Sequence, residues 1–322
     1  MILLFIKLLV GLVLILLGAD YLVEGTSSVA RRFGISEFVV GMTIVGIGTS
    51  TPEMVVSFIA SINGNPDIAV GNIVGSNIAN VFLILGVTTL VSPIALTRNN
   101  LRRDIPICLT ASLLLFAFGM DRILFGGQVN TISRIEGVVF LFAFILFMIY
   151  SFRSGTQVED VPQEEKKDTT ERSMWLSTIF IAGGLCGLIF GGRLFVHSGS
   201  AIASSLGVSD AFIGITVMAL GTSLPELAAS VVAALKGKGQ MALGNIVGSN
   251  ISNILLILGG ASIISPLTMS NITLLDMLMM VFSTLVLFLA NTTFGKAKID
   301  RIEGGFFIAI YAAYIFYLSI NL

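Results

Sequence analysis

Two glutamates stand where a charge is costly. Glu53 lies inside the apolar run 37–62 and Glu226 inside the run 210–235, and neither run contains a Lys or Arg. A carboxylate at bilayer depth is tolerated only when it is paired or solvated. Each closes the same short pattern, Gly48-Thr49-Ser50-Thr51-Pro52-Glu53 and Gly221-Thr222-Ser223-Leu224-Pro225-Glu226. Proline has no N–H to give the carbonyl four residues back, so the helix is expected to loosen there and free carbonyl oxygens around 46–49 and 219–222. Thr49, Glu53 and Ser57 follow i, i+4, i+8 and share one helix face, as do Thr222, Glu226 and Ser230. Further on, Asn72, Ser76 and Asn80 form a second such stripe, with Asn245, Ser249 and Asn253 as its twin. Carboxylates, hydroxyls, amide oxygens and freed carbonyls are the hard oxygen ligands that Ca2+ and Na+ prefer. Taken singly, each feature has a plainer reading: protonated glutamates bonded between helices, a simple proline kink, interhelical hydrogen bonds. Taken together and in duplicate, they predict one cation site.

The elements that would hold such a site follow from composition. Of 322 residues, 55% are hydrophobic and 11% charged, and the mean hydropathy is +0.97. A soluble globule carries roughly 25% charged residues, so an ordinary soluble enzyme and a disordered chain are both excluded. Eighteen Lys and Arg against nineteen Asp and Glu leave no basic excess for nucleic acid. The apolar runs are long and unbroken, which favours an all-α polytopic membrane protein over a β-barrel. Ten spans are expected near 2–24, 37–62, 69–92, 104–120, 132–152, 175–199, 210–235, 241–264, 273–292 and 302–320. The first apolar run shows no small-residue cleavage site and reads as a retained span.

The chain repeats. Residues 46–93 align without gaps on 219–266, with 24 of 48 positions identical, and Gly71 to Ile78 returns letter for letter as Gly244 to Ile251. Arg134-Ile135-Glu136-Gly137 returns as Arg301-Ile302-Glu303-Gly304. Five spans per copy turn the second copy upside down, an arrangement found in secondary transporters with a midplane site. The expected organisation is a first repeat at 1–152, a linker at 153–174 and an inverted second repeat at 175–322. Ten of the 37 charged residues fall in 151–174, so this stretch lies outside the bilayer. With the N-terminus outside, 14 of the 18 Lys and Arg reach the inner side, so the linker is expected to be cytoplasmic.

Other polar residues carry less. Cys108 and Cys186 read as packing residues in apolar runs, and a single histidine, His197, excludes a histidine-based metal centre. Asp20 and Glu24 align with Arg193 and His197, which inversion carries to the opposite face, so they read as water-facing boundary residues. Arg134/Glu136 and Arg301/Glu303 read as anchors of span ends. Gly71/Gly75 and Gly244/Gly248 are G-x-x-x-G pairs that let helices approach closely.

The pattern G-T-S-x-P-E followed by G-N-x-x-G-S-N-x-x-N, in two inverted copies, resembles the α-repeats of the sodium/calcium exchanger family within the cation/Ca2+ antiporters. The resemblance implies that Thr49, Glu53, Thr222 and Glu226 hold Ca2+. It implies that Na+ reuses these groups and adds Gly46, Ser50, Ser76, Ala219, Ser223 and Ser249, with Asn80 and Asn253 lining the centre. Some members carry Asp where this chain has Asn253, so two carboxylates remain instead of three. Proton-coupled relatives carry an acid at the end of G-N-x-x-E, where Gly75 and Gly248 stand here.

The function expected is Na+/Ca2+ antiport across the cytoplasmic membrane by alternating access. The alternatives are H+/Ca2+ or K+-dependent exchange and, from another class, a cation channel. Ca2+ and Na+ are cargo, and no cofactor, catalytic residue or nucleic-acid partner is expected. The bilayer is the standing partner, and function as a monomer is expected. An intramembrane enzyme lacks a credible nucleophile–base pair.

Overall fold

The computed structural model describes residues 1–124, 126, 129–154, 173–206, 221–294 and 298–321. The described chain is almost wholly helical. Among the described residues, six helices are long and apolar enough to cross a membrane: α1 (Ile2–Phe33), α4 (Pro66–Val91), α6 (Arg134–Ser154), α7 (Met174–Ser205), α9 (Gly239–Ile264) and α11 (Arg301–Asn321). A seventh span is the bent pair α2 (Glu37–Thr49) and α3 (Thr51–Ile62), which meet at 47°. The other three expected spans fall on α5 (Ile105–Gly119), α8 (Leu224–Leu235) and α10 (Leu274–Phe294). The described apolar stretches of these three are shorter, and the expected start of the seventh span, 210–220, lies outside the described residues.

Burial divides the helices into two layers. Within their most apolar windows α4 and α9 are 72% and 83% buried, whereas α1, α6, α7 and α11 are 17–22% buried. The two helices carrying the Asn/Ser stripes are therefore the centre, and the others turn apolar side chains such as Leu9, Leu16, Phe142 and Phe316 outward. That outward surface demands a bilayer.

Both α1 and α7 run past the ends expected for them, residues 24 and 199. Each has 32 residues, about 48 Å at 1.5 Å per residue, well beyond a hydrocarbon layer of roughly 30 Å. They pack along each other through glycines: a Cβ on Gly18 would stand 2.7 Å from the Leu188 nitrogen, and one on Gly184 would stand 2.7 Å from the Gly18 oxygen. The α1 helix continues through Glu24 because Gly25 to Ala30 are buried. It stops at Gly34, whose φ of 62° lets its N–H reach back to Ala30 and Arg31.

Two short antiparallel ladders join turns from the two halves, an addition to the all-helical expectation. Strand β1 (Ile94–Ala95) pairs with β4 (Lys298–Ile299), and β2 (Asn130–Ile132) pairs with β3 (Leu267–Met269). The register is reciprocal. Ile94 faces Ile299, while Leu267, the repeat partner of Ile94, faces Ile132. Each half thus lends one turn to each ladder. Both α4 and α9 also contain a wider i→i+5 stretch at matching positions, Asn80–Leu85 and Asn253–Leu258, the kind of local insertion frequent at functional sites.

Candidate functional site

The site begins at the helix break at Ser50 and at the start of α8. Ser50 ends α2, and α3 restarts with Pro52 and Glu53 in its first turn. Pro225 and Glu226 hold the same places in α8. Proline is well suited to a first turn, where its missing N–H would be unpartnered anyway. Each glutamate also gains the favourable field of a helix N-terminus. Both are only 1% exposed.

The hydroxyls cross between the halves. Ser50 Oγ donates to Glu226 Oε1 at 2.9 Å, and Ser223 Oγ donates to Glu53 Oε1 at 3.3 Å. Thr222 sits beside the Glu53 carboxylate and Thr49 beside that of Glu226. One oxygen of each carboxylate is thereby held. The other, Glu53 Oε2 or Glu226 Oε2, is buried and accepts no hydrogen bond from any described residue. The amide oxygens of Asn80 and Asn253 are in the same condition. Four buried oxygens with full acceptor capacity, two from each half, are what a desolvated cation needs and what a purely structural cluster avoids.

The stripes divide in role. Asn72 Nδ2 donates to the Glu53 carbonyl at 3.2 Å and to Ser57 Oγ at 3.0 Å, and Asn245 Nδ2 donates to the Glu226 carbonyl at 3.2 Å and to Ser230 Oγ at 2.8 Å. These four side chains brace α3 against α4 and α8 against α9, so for them the plainer interhelical reading holds. The far ends of the same stripes, Asn80 and Asn253, carry the unpartnered oxygens.

Two of the carbonyls expected to be free, those of Gly46 and Gly48, are engaged. Gly48 O accepts from Thr51 Oγ1 at 2.7 Å. Gly46 O accepts from the Ser50 nitrogen at 3.2 Å and from Ser249 Oγ at 3.2 Å. A threonine next to the proline thus supplies the hydrogen that the proline withholds. At the corresponding place in the second copy stands Leu224, which has no hydroxyl. Ser76 is buried on α4, and Ala219 lies outside the described residues.

Packing around the two G-x-x-x-G pairs differs. A Cβ on Gly244 would collide with the Phe38 carbonyl oxygen and one on Gly248 with that of Met42, so α9 lies backbone to backbone on α2. On α4 the nearest described atom to a Cβ on Gly71 is Ile272 Cδ1 at 3.4 Å. No described atom lies within 4 Å of a Cβ on Gly75, which is exposed.

Two features escaped the sequence. Asn77 and Asn250, absent from both stripes, join Asn80 and Asn253 in a buried amide cluster. Their appearance in both copies of G-N-I-V-G-S-N was the available signal. Asp20 and Glu24 are not lone boundary residues, since Lys236 pairs with them at 2.5 and 3.1 Å. Beside them Lys238 reaches Ser27 Oγ and, at 3.5 Å, Glu37. Burial pushes the Lys238 ammonium below its ordinary pKa. Glu136 and Glu303 accept from the Ser133 and Asp300 nitrogens at 2.6 and 2.7 Å, so they cap α6 and α11.

Known proteins resemble this chain in sequence and fold. The family profile described as sodium/calcium exchanger protein matches residues 3–153 and 176–320. A relative named sodium/calcium exchanger MaX1, from Methanosarcina acetivorans, is 35% identical over 342 residues, covering 97% of each chain. The inner membrane protein YrbG of Escherichia coli is 37% identical over 265 residues, 80% of this chain and 79% of its own. A solved structure of the sodium-calcium exchanger NCX_Mj, soaked with 10 mM Na+ and zero Ca2+, superposes with a TM-score of 0.82 at 36% identity, covering 98% of this chain and 99% of the other. With profile, relatives and fold in agreement, the chain belongs to the sodium/calcium exchanger family, a multi-pass helical membrane transporter and not an enzyme.

Proposed function

We propose that the protein exchanges Na+ for Ca2+ at a site built from Glu53, Glu226, Thr49 and Thr222, with Ser50, Ser223, Ser76, Ser249, Gly46, Ala219, Asn80 and Asn253 around it. The observation that carries this reading is the set of four buried, unpartnered oxygens on Glu53, Glu226, Asn80 and Asn253. Two carboxylates supply about −2 charge, which one Ca2+ or two Na+ neutralise. Ions that need the same oxygens exclude one another, and that exclusion is the physical basis of exchange. The two halves, 1–152 and 175–322, act as inverted repeats, and the reciprocal ladders support this. The linker at 153–174 faces the cytoplasm, the protein resides in the cytoplasmic membrane, and one chain suffices because it contains both repeats. Alternating access is supported by the inverted repeat, which offers the same site to either side of the membrane.

The test is 45Ca2+ uptake into proteoliposomes under imposed Na+, K+ or H+ gradients. Uptake should follow an outward Na+ gradient and saturate. Uptake driven by protons and indifferent to Na+ would replace this reading with H+/Ca2+ exchange, a requirement for K+ would make it K+-dependent, and flux without a counter-ion would indicate a channel.

A further inference from the structure

The asparagine cluster between α4 and α9 supports one step more. Asn77, Asn80, Asn250 and Asn253 are each 1% exposed. Their orientation is anchored by two backbone carbonyls, which can only accept. Asn77 Nδ2 donates to the Asn250 carbonyl at 3.2 Å, and Asn250 Nδ2 donates to the Asn77 carbonyl at 3.4 Å. With their nitrogens committed, these two side chains turn their oxygens toward the next pair. Asn250 Oδ1 accepts from Asn80 Nδ2 at 2.9 Å, and Asn77 Oδ1 accepts from Asn253 Nδ2 at 3.0 Å. An amide carries oxygen and nitrogen on opposite branches. Holding the nitrogens of Asn80 and Asn253 therefore leaves their oxygens facing away from the cluster, and these are the two amide oxygens without a partner.

We propose that Asn77 and Asn250 are positioning residues that hold the Asn253 and Asn80 amides oxygen-first toward the transported cation. A flipped amide would present two N–H hydrogens to the cation and repel it. It would also set Asn80 Oδ1 against Asn250 Oδ1, or Asn253 Oδ1 against Asn77 Oδ1, two acceptors with no proton between them. The control is crossed: each half orients the amide of the other, so the selectivity of the centre depends on contact between halves. Asn77 and Asn250 act through their partners and need not touch the ion. The proposal rests on the reading that the Asn80 and Asn253 oxygens face Ca2+ and Na+.

The experiment measures KM and maximal rate of Na+-driven 45Ca2+ uptake by the full chain in proteoliposomes. Asn77→Ala should raise KM for Ca2+ about tenfold or more, as should Asn253→Ala, with smaller changes in maximal rate. The Asn77→Ala/Asn253→Ala double variant should be no worse than Asn253→Ala alone, because nothing remains to be oriented. Asn77→Ala combined with Asn80→Ala, which are not partners, should instead add. The mirror cycle of Asn250 with Asn80 repeats the test. Asn77→Asp, protonated because it is buried against the Asn250 carbonyl, keeps the size, a hydrogen for that carbonyl and an oxygen for Asn253 Nδ2, so its KM should stay within about threefold of wild type; it serves where an alanine variant does not yield monodisperse protein. The proposal is overturned if the Asn77 effect persists undiminished in the Asn253→Ala background, or if Asn77→Asp behaves like Asn77→Ala. If Asn80→Ala, Asn253→Ala and Glu53→Gln all leave KM unchanged, the ion site itself is wrong and the positioning role falls with it.

Discussion

The same eight letters, Gly-Asn-Ile-Val-Gly-Ser-Asn-Ile, lie in two unlike surroundings. At 244–251 every residue is buried, with the two glycines pressed on α2. At 71–78 Gly71 and Asn72 are half-buried and Gly75 is exposed. Their chemistry is nevertheless matched: each asparagine at the head of the run bonds the carbonyl of its own glutamate and a serine one turn on. Local sequence therefore sets the helix and its ligands, while the covering of that helix is decided elsewhere. Small residues at 75 and 248 permit either environment.

The largest effects should come where the halves are equal. Glu53→Gln and Glu226→Gln each remove one of the two carboxylate charges proposed to hold the ion, and each should lower Ca2+ exchange on the order of 100-fold, two decades at about 1.36 kcal/mol apiece. Flux on folded, reconstituted protein measures this, and strongly unequal losses would break the equivalence of the two glutamates.

The next comparison sits where the halves differ. Gly248→Ala drives a methyl into the Met42 carbonyl and should cost about 1–3 kcal/mol, seen as a lower Tm in detergent. Gly75→Ala meets no described atom within 4 Å, so Tm should hold while exchange slows if a partner must close on it during the cycle. Equal Tm losses would show that the exposure of Gly75 is unrelated to packing.

Smaller still is the tie between Lys236 and α1. Lys236→Gln removes its pairs with Asp20 and Glu24, all partly exposed, and each such pair contributes about 0–1 kcal/mol. The Tm deficit should shrink in 1 M salt, where the Debye length is roughly 3 Å. The counterpart of Lys236 in the first copy is Asn63, so Asn63→Gln should show no such salt dependence. The smallest effect belongs to Glu136→Gln, which weakens a cap by about 1 kcal/mol or less and should leave exchange unchanged, because it lies outside both motifs.

Much of this was legible in the sequence because the decisive signals are local and doubled. Glu53 with Pro52, and Glu226 with Pro225, declare a broken helix and a buried charge, and i, i+4 spacing places Asn80 in line with Asn72 and Ser76, and Asn253 in line with Asn245 and Ser249. What stayed hidden is contact between distant segments. Asn77 lies five residues after Asn72, off the stripe, and its meaning comes from Asn250, 173 positions away. Lys236 could not be assigned to Asp20 from spacing alone, since 216 residues separate them. The i→i+5 stretches at Asn80–Leu85 and Asn253–Leu258 widen the helix locally, which no regular 3.6-residue period announces. The carbonyl of Gly48 was misjudged for a different reason: Thr51 supplies the missing hydrogen from its side chain.

The reciprocal ladders also constrain the order in which the protein is made. Ile94 leaves the ribosome about 200 residues before its partner Ile299, a delay of roughly 10–40 s at about 5–20 residues per second. During that interval the first half stands inserted with β1 unpaired, and β2 waits likewise for Leu267–Met269. A nascent chain arrested before residue 267 has neither ladder, so the first half reaches its final form only after most of the second has been synthesised. Maturation is therefore a late, whole-chain event, and truncated products lack the ladders that tie the two halves together.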